Sequence, residues 1–224
     1  MSKDKKPNPY CPVPGCRTKQ SHLGNKHHKE LYDVFSDPKL LAQTVKSCIV
    51  DMIQSCTDDV NKNRFFAYLT RWRQPEEMYT RALYLLFVAT PEEIAHVVSD
   101  ELPNSFSAMW QKVNTTVLDG KGILDKKLTG LSGDEFTTMD TLNHSAHGSL
   151  IAVVTTIGFQ KNPNRIEMSK QHLDVWKKYC DFLDYAEKKF GEGKSRDEVL
   201  TGFKLLLAKP SSWPPPKQTE NVKG

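Results

Sequence analysis

Apolar side chains recur along most of this chain at spacings of three and four residues, and no stretch alternates apolar and polar positions with a period of two. The pattern predicts an all-α fold. The clearest stripe follows Ser36-Asp37-Pro38, a helix-start signal in which Pro is pre-set for the first turn. Leu41, Val45, Cys48, Ile49, Met52, Ile53, Cys56 and Val60 then fall on one helical face. A second segment reads NRFFAYLTRWR. A third begins at Pro75 with Glu76 and Glu77, acids that suit the positive end of a helix dipole.

Thr90-Pro91-Glu92-Glu93 has the form of a capping box and predicts a fourth helix. Leu102-Pro103-Asn104 breaks the chain, and a fifth helix follows through Phe106, Trp110, Val113 and Val117. Four glycines between residues 119 and 133 mark a long loop. A sixth helix is expected from Ser132 or Asp134 to about Phe159; its second half, GSLIAVVTTIGF, is apolar nearly all round and so is expected at the centre of the domain. Gln160 to Met168 reads as a loop. Ser169 opens the expected seventh helix, with Leu173, Trp176, Cys180 and Leu183 inward and Gly191 as its stop. Ser195 and Glu198 form a second capping box for a helix ending before Pro210.

The expected architecture is therefore a bundle-like domain of about eight helices over residues 31–208. Residues 1–9 are rich in Lys and Pro and read as a disordered arm, and 209–224 as a Pro-rich mobile tail. At 224 residues the chain is long enough to bury a core without metal or disulfides. Net charge is +4, which permits nucleic-acid binding without demanding it. The odd number of cysteines, five, the charged N-terminus MSKDKKPNP and the lack of a membrane-length apolar run predict a soluble protein of the cytoplasm or nucleus with reduced thiols.

Chemistry concentrates in YCPVPGCRTKQSHLGNKHH, residues 10–28. Cys11, Cys16, His22 and either His27 or His28 can supply the four soft or borderline ligands that tetrahedral Zn2+ takes. The Pro and Gly between the cysteines allow a tight turn. The CPVPGC opening and the paired histidines are similar to a C2H2 zinc finger. Only five residues separate Cys16 from His22, however, which leaves no room for a hairpin and a full helix before the first histidine. In size the cluster is closer to a zinc knuckle. The resemblance covers residues 10–30 and implies a structural zinc, not a DNA-reading helix. Arg17, Lys19, Lys26 and Lys29 make this module basic, as suits phosphate or an acidic protein surface, or simply a solvated face.

A second feature is TPEEIAHVVSDELPNSFSAMWQKV, two helices around a break, which is the layout of a helix-turn-helix. Ala95 stands where such motifs pack a small residue. Asn104, Ser105, Ser107, Gln111 and Lys112 could reach base edges or phosphates, with Arg64, Arg71, Arg73 and Arg81 holding the backbone. The turn is longer than usual, lacks its customary Gly and carries Asp100 and Glu101. Two successive helices in a bundle are the plain alternative.

A third is Asp140, His144 and His147, which share one helical face and could bind a metal or move protons, with His172 as the remaining candidate ligand. Hydrogen-bonded boundary histidines account for them more simply. Cys48, Cys56 and Cys180 read as small core hydrophobes. No nucleotide, hydrolase or metalloprotease fingerprint appears, so no enzyme activity is expected. The expectation is a zinc-containing helical regulator that binds nucleic acid, DNA first, as in transcriptional control. An adaptor or inhibitor with a structural zinc is the alternative, and a metal-dependent enzyme on Asp140, His144 and His147 stands third.

Overall fold

The computed structural model describes residues 24–71, 74–98, 106–119 and 150–208. Nine helices lie among the described residues: α1 (Gly24–Ser36), α2 (Pro38–Asn61), α3 (Phe65–Arg71), α4 (Gln74–Phe87), α5 (Pro91–Val98), α6 (Phe106–Thr116), α7 (Leu150–Lys161), α8 (Arg165–Gly191) and α9 (Arg196–Ala208). The described residues contain no strand, as the period of the apolar pattern predicts.

The helix starts follow from local chemistry. Asp37 caps α2: its carboxylate accepts the N–H groups of Lys39 at 2.9 Å and Leu40 at 3.1 Å, and Pro38 takes the first helical position. Thr90 and Glu93 exchange reciprocal bonds at 3.0 and 3.2 Å at the start of α5. Ser195 and Glu198 do the same before α9, at 2.9 and 3.3 Å.

The core is organised on the seam between α2 and α8, the largest helix–helix contact. Ile49 and Cys56 of α2 and Trp176, Tyr179 and Leu183 of α8 are buried. Lys46 of α2 bonds Asp184 and Glu187 across the same seam. Against this pair α4 brings Tyr79, which stacks on Tyr179 with ring centres 4.2 Å apart. Helix α6 packs on α4, α1 on α5 and α2, and α3 on α2 and α7. Phe203 of α9 packs against Phe87 and Phe182. Gly202 brings α9 close to α8: a Cβ there would meet the Tyr185 hydroxyl.

Helix α1 overlaps residues 24–30 of the expected zinc module; Tyr32 and Phe35, three apart on one face, anchor it to the core. Two expectations are corrected. Helix α8 begins at Arg165, not Ser169. A turn of only a few residues suffices before it, because the Asn162 side-chain carbonyl accepts the Asn164 N–H at 2.9 Å and closes the chain locally. Helix α7 is not shut into the centre: Val153 and Ile157 are 43% and 47% exposed. Its Phe159 reaches Phe65 and Tyr68 of α3, which fixes the inward side. The expected start of that helix, the glycine loop at 120–133 and the break at 102–104 lie outside the described residues, as do the arm and the tail. Among the described residues no helix is long and apolar enough to cross a membrane.

Candidate functional site

Asp59 sits on the buried side of α2 between Cys56 and Val60, with its side chain 3% exposed. A carboxylate in that position needs cations or donors to offset its lost hydration. The chain supplies two. Just past the end of α2, Asn63 takes a left-handed conformation (φ 54°), which Asn tolerates better than most residues, and turns the backbone back. Arg64 then donates its backbone N–H to the Asp59 carbonyl at 2.7 Å, and its Nη2 forms an ion pair with Asp59 Oδ1 at 2.6 Å. Two turns on, Arg71 at the end of α3 donates Nη1 to Asp59 Oδ2 at 2.9 Å.

Both guanidiniums are thereby held side by side by one buried anion, while remaining 53% and 44% exposed. A guanidinium has five N–H donors in a rigid plane, so the bonds to Asp59 leave outward donors on each. The cleft they line has a volume of about 350 Å³, with Ser55, Asp58 and Ala67 on its other walls. Lys62 bonds Asp58 at 3.0 Å. The cleft lining itself carries two arginines and two aspartates, a formal charge of zero, and Lys62 outside it offsets Asp58. Such a pair of pre-oriented guanidiniums can receive a phosphate or carboxylate bidentately. Behind it, burial pushes the Cys56 thiol up to about 11 against the pull of Arg71, so this cysteine is no nucleophile at neutral pH.

The residues singled out in the sequence are distributed as follows. Arg71 belongs to the fork just described, and Arg64, read as a backbone-holding residue, joins it. Gln111 and Lys112 are exposed on α6. Lys112 is engaged: its ammonium stands 3.4 Å from Glu93 and 5.6 Å above the centre of the Tyr84 ring. This contact links α5 to α6, although α5 packs chiefly on α1 and α6 on α4. Ser107 lies on α6, and Lys26, His27 and His28 lie on α1; of these only the helical backbone is described. Cys11, Cys16, Arg17, Lys19, His22, Arg73, Asn104 and Ser105 fall outside the described residues, and so do Asp140, His144 and His147. No group of three or more potential metal ligands occurs among the described residues.

His172 is buried, with Nδ1 facing the Tyr68 hydroxyl at 3.1 Å. Burial holds its pKa well below the usual value, so it is neutral. Cys180 is likewise pushed up to about 11 by burial. Comparison with family models, with curated proteins and with solved structures gives no match to this chain. Its chemistry therefore rests on its own geometry.

Asp59 is the functional residue that sequence reasoning missed. A signal was present: an acid standing on the apolar stripe of α2 must find a cation, and Arg64 and Arg71 are the next arginines along the chain.

Proposed function

We propose that the chain is a zinc-containing helical regulator that binds nucleic acid, DNA in the first instance, and that the Arg64–Asp59–Arg71 fork is its phosphate-holding element. The observation that carries this reading is the pair of half-exposed guanidiniums oriented by one buried carboxylate. Ordering them in advance lowers the entropy cost of taking a phosphate. The mild positive charge of the chain supports the same reading. The N-terminal arm completes it: Cys11, Cys16 and His22, with His27 or His28, hold one structural Zn2+ and present Arg17, Lys19 and Lys26 to the same partner. On α6, Gln111 offers a further polar contact.

The test is binding of fluorescent single- and double-stranded oligonucleotides across a salt series. Arg64→Gln and Arg71→Gln each weaken binding and reduce the slope of log K against log salt by about one, the loss of one phosphate contact. Unchanged affinity and slope in both variants would sink the fork as the binding element. For the metal, Cys11→Ser/Cys16→Ser lowers zinc content from one ion per chain to none, and zinc retained by that variant overturns the assignment.

A second reading, a protein-interaction factor, is favoured by a different observation. Phe66 on α3 and Val153 and Ile157 on α7, two helices in contact, are 46%, 43% and 47% exposed. Capture of a protein partner that is insensitive to salt and lost on Phe66→Ser would select it over the first.

A further inference from the structure

A cavity of about 200 Å³ lies where α1, α2, α4 and α6 meet. Protein interiors are packed as densely as organic crystals, and voids larger than a water molecule are few. The side chains around this one fall into two sets. Leu41, Leu85 and Met109 are buried and form its floor. Phe35, Val45 and Met78 are half-buried and form its rim. The floor thus belongs to the core, while the rim reaches the surface. Two further lining residues carry polar groups, and both already have partners. The Tyr84 hydroxyl is hydrogen-bonded to Glu93. Arg81 is ion-paired with Glu77 at 3.8 Å, and its Nε has no accessible surface to offer a ligand.

We infer that this cavity binds a neutral, apolar small molecule about the size of a substituted benzene ring. The chemistry of the wall sets the class. A charged or hydroxylated group placed here would lose its hydration and gain no hydrogen bond in return. Water is held poorly for the same reason, since a buried water needs about two to four polar partners. An apolar ring loses nothing and gains the contacts that the empty space denies to its lining. The size is right, because an apolar cavity of roughly 150 Å³ already accepts benzene, and the extra volume admits a small alkyl substituent. Met78 at the rim and Met109 at the floor adapt to the shape of the guest, as their unbranched side chains repack easily. The half-buried rim lets a ligand enter without unfolding the four helices. Leu41 and Val45 belong to the beginning of α2 and the Asp59 fork to its end. The site is thus separate from the phosphate-holding element and stands or falls independently of it.

The experiment is calorimetric titration of the full chain with toluene and with phenol, a ring of nearly the same size that carries a hydroxyl, alongside NMR of 13C-labelled methionine methyls. Toluene is expected to bind saturably, one molecule to each chain, and to shift the Met78 and Met109 methyls. Phenol is expected to bind at least about tenfold more weakly, because its hydroxyl is buried without a partner. Val45→Phe, which fills the space from the rim, abolishes toluene binding. Should Val45→Phe fail to fold, Met78→Trp, a second rim substitution, is expected to do the same. Toluene that does not saturate, methyl shifts that miss Met78 and Met109, or phenol binding as tightly as toluene would each overturn the proposal. So would toluene affinity that survives in whichever rim variant folds.

Discussion

Helix α8 is dense with charge, reading RIEMSKQHLDVWKKYCDFLDYAEKKFG, yet it lies at the centre of the described structure and buries Leu173, Trp176, Tyr179 and Leu183. Helix α7, which precedes it, reads LIAVVTTIGFQK and leaves Val153 and Ile157 nearly half exposed. Composition ranks the two in the wrong order. What separates them is phase: the apolar residues of α8 recur on one side and meet the stripe of α2, whereas α7 is apolar on every side and commits no side in particular. Its inward face is chosen by Phe159, which fits against Phe65 and Tyr68. Burial follows the face that a helix offers and the partner that matches it, not the sum of its apolar residues.

The contrast can be broken most directly at Trp176. Truncation to Ala removes a large buried ring from the α2–α8 seam and is expected to cost about 3–5 kcal/mol, read as a lower urea midpoint. A cost below about 1 kcal/mol would place the centre of the fold elsewhere. A smaller effect tests α8 through pH. Burial depresses the pKa of His172 in the folded chain, while the unfolded chain titrates near 6.5. As pH falls below that value the unfolded state takes up the proton and the native state does not. Stability therefore declines by about 1.4 kcal/mol per pH unit, and His172→Phe flattens that slope. An unaltered slope in the variant would mean that His172 is not the group responsible. The capping carboxylate of Glu198, lowered to about 2 by the Ser195 N–H, Lys194 and the Ser195 hydroxyl, loses its contribution only as pH falls from about 4.5 toward 2. The His172 window opens near 6.5 and the Glu198 window only near 4.5. The smallest effect belongs to α7: Ile157→Ser is expected to change stability by less than about 0.5 kcal/mol. A loss above about 2 kcal/mol in the same denaturation would show that this face is covered.

Much of the helical framework was legible because its signals are local. Asp37, Thr90 and Ser195 each start a helix by bonding backbone N–H groups within three residues, and those bonds are written in the sequence itself. The beginning of α8 was misplaced because Asn162-Pro163-Asn164 reads as an extended loop, while the Asn162 side chain closes it into a short turn. Helix α1 opens with GNKHHKE, seven residues without an apolar side chain, so no apolar period announces its start. Half of the candidate site was visible: the arginines could be named, but not their convergence, since Arg71 meets Asp59 only after the chain has reversed at Asn63. The cavity of about 200 Å³ that Phe35, Val45, Met78 and Met109 help to line between α1, α2, α4 and α6 was not legible at all. It is a shortfall in packing among four helices, and no single segment records it.

The close approach of α9 to Tyr185 has a consequence for how the sequence can drift. At Gly158 a methyl group would meet nothing within 4 Å, so that position is open to exchange. Gly202 is not, for a methyl there collides with a hydroxyl unless the Tyr185 ring first swings aside. The two residues are bound into one inheritance: a side chain at 202 finds room once the half-exposed Tyr185 ring turns away, and more freely where position 185 has lost its hydroxyl.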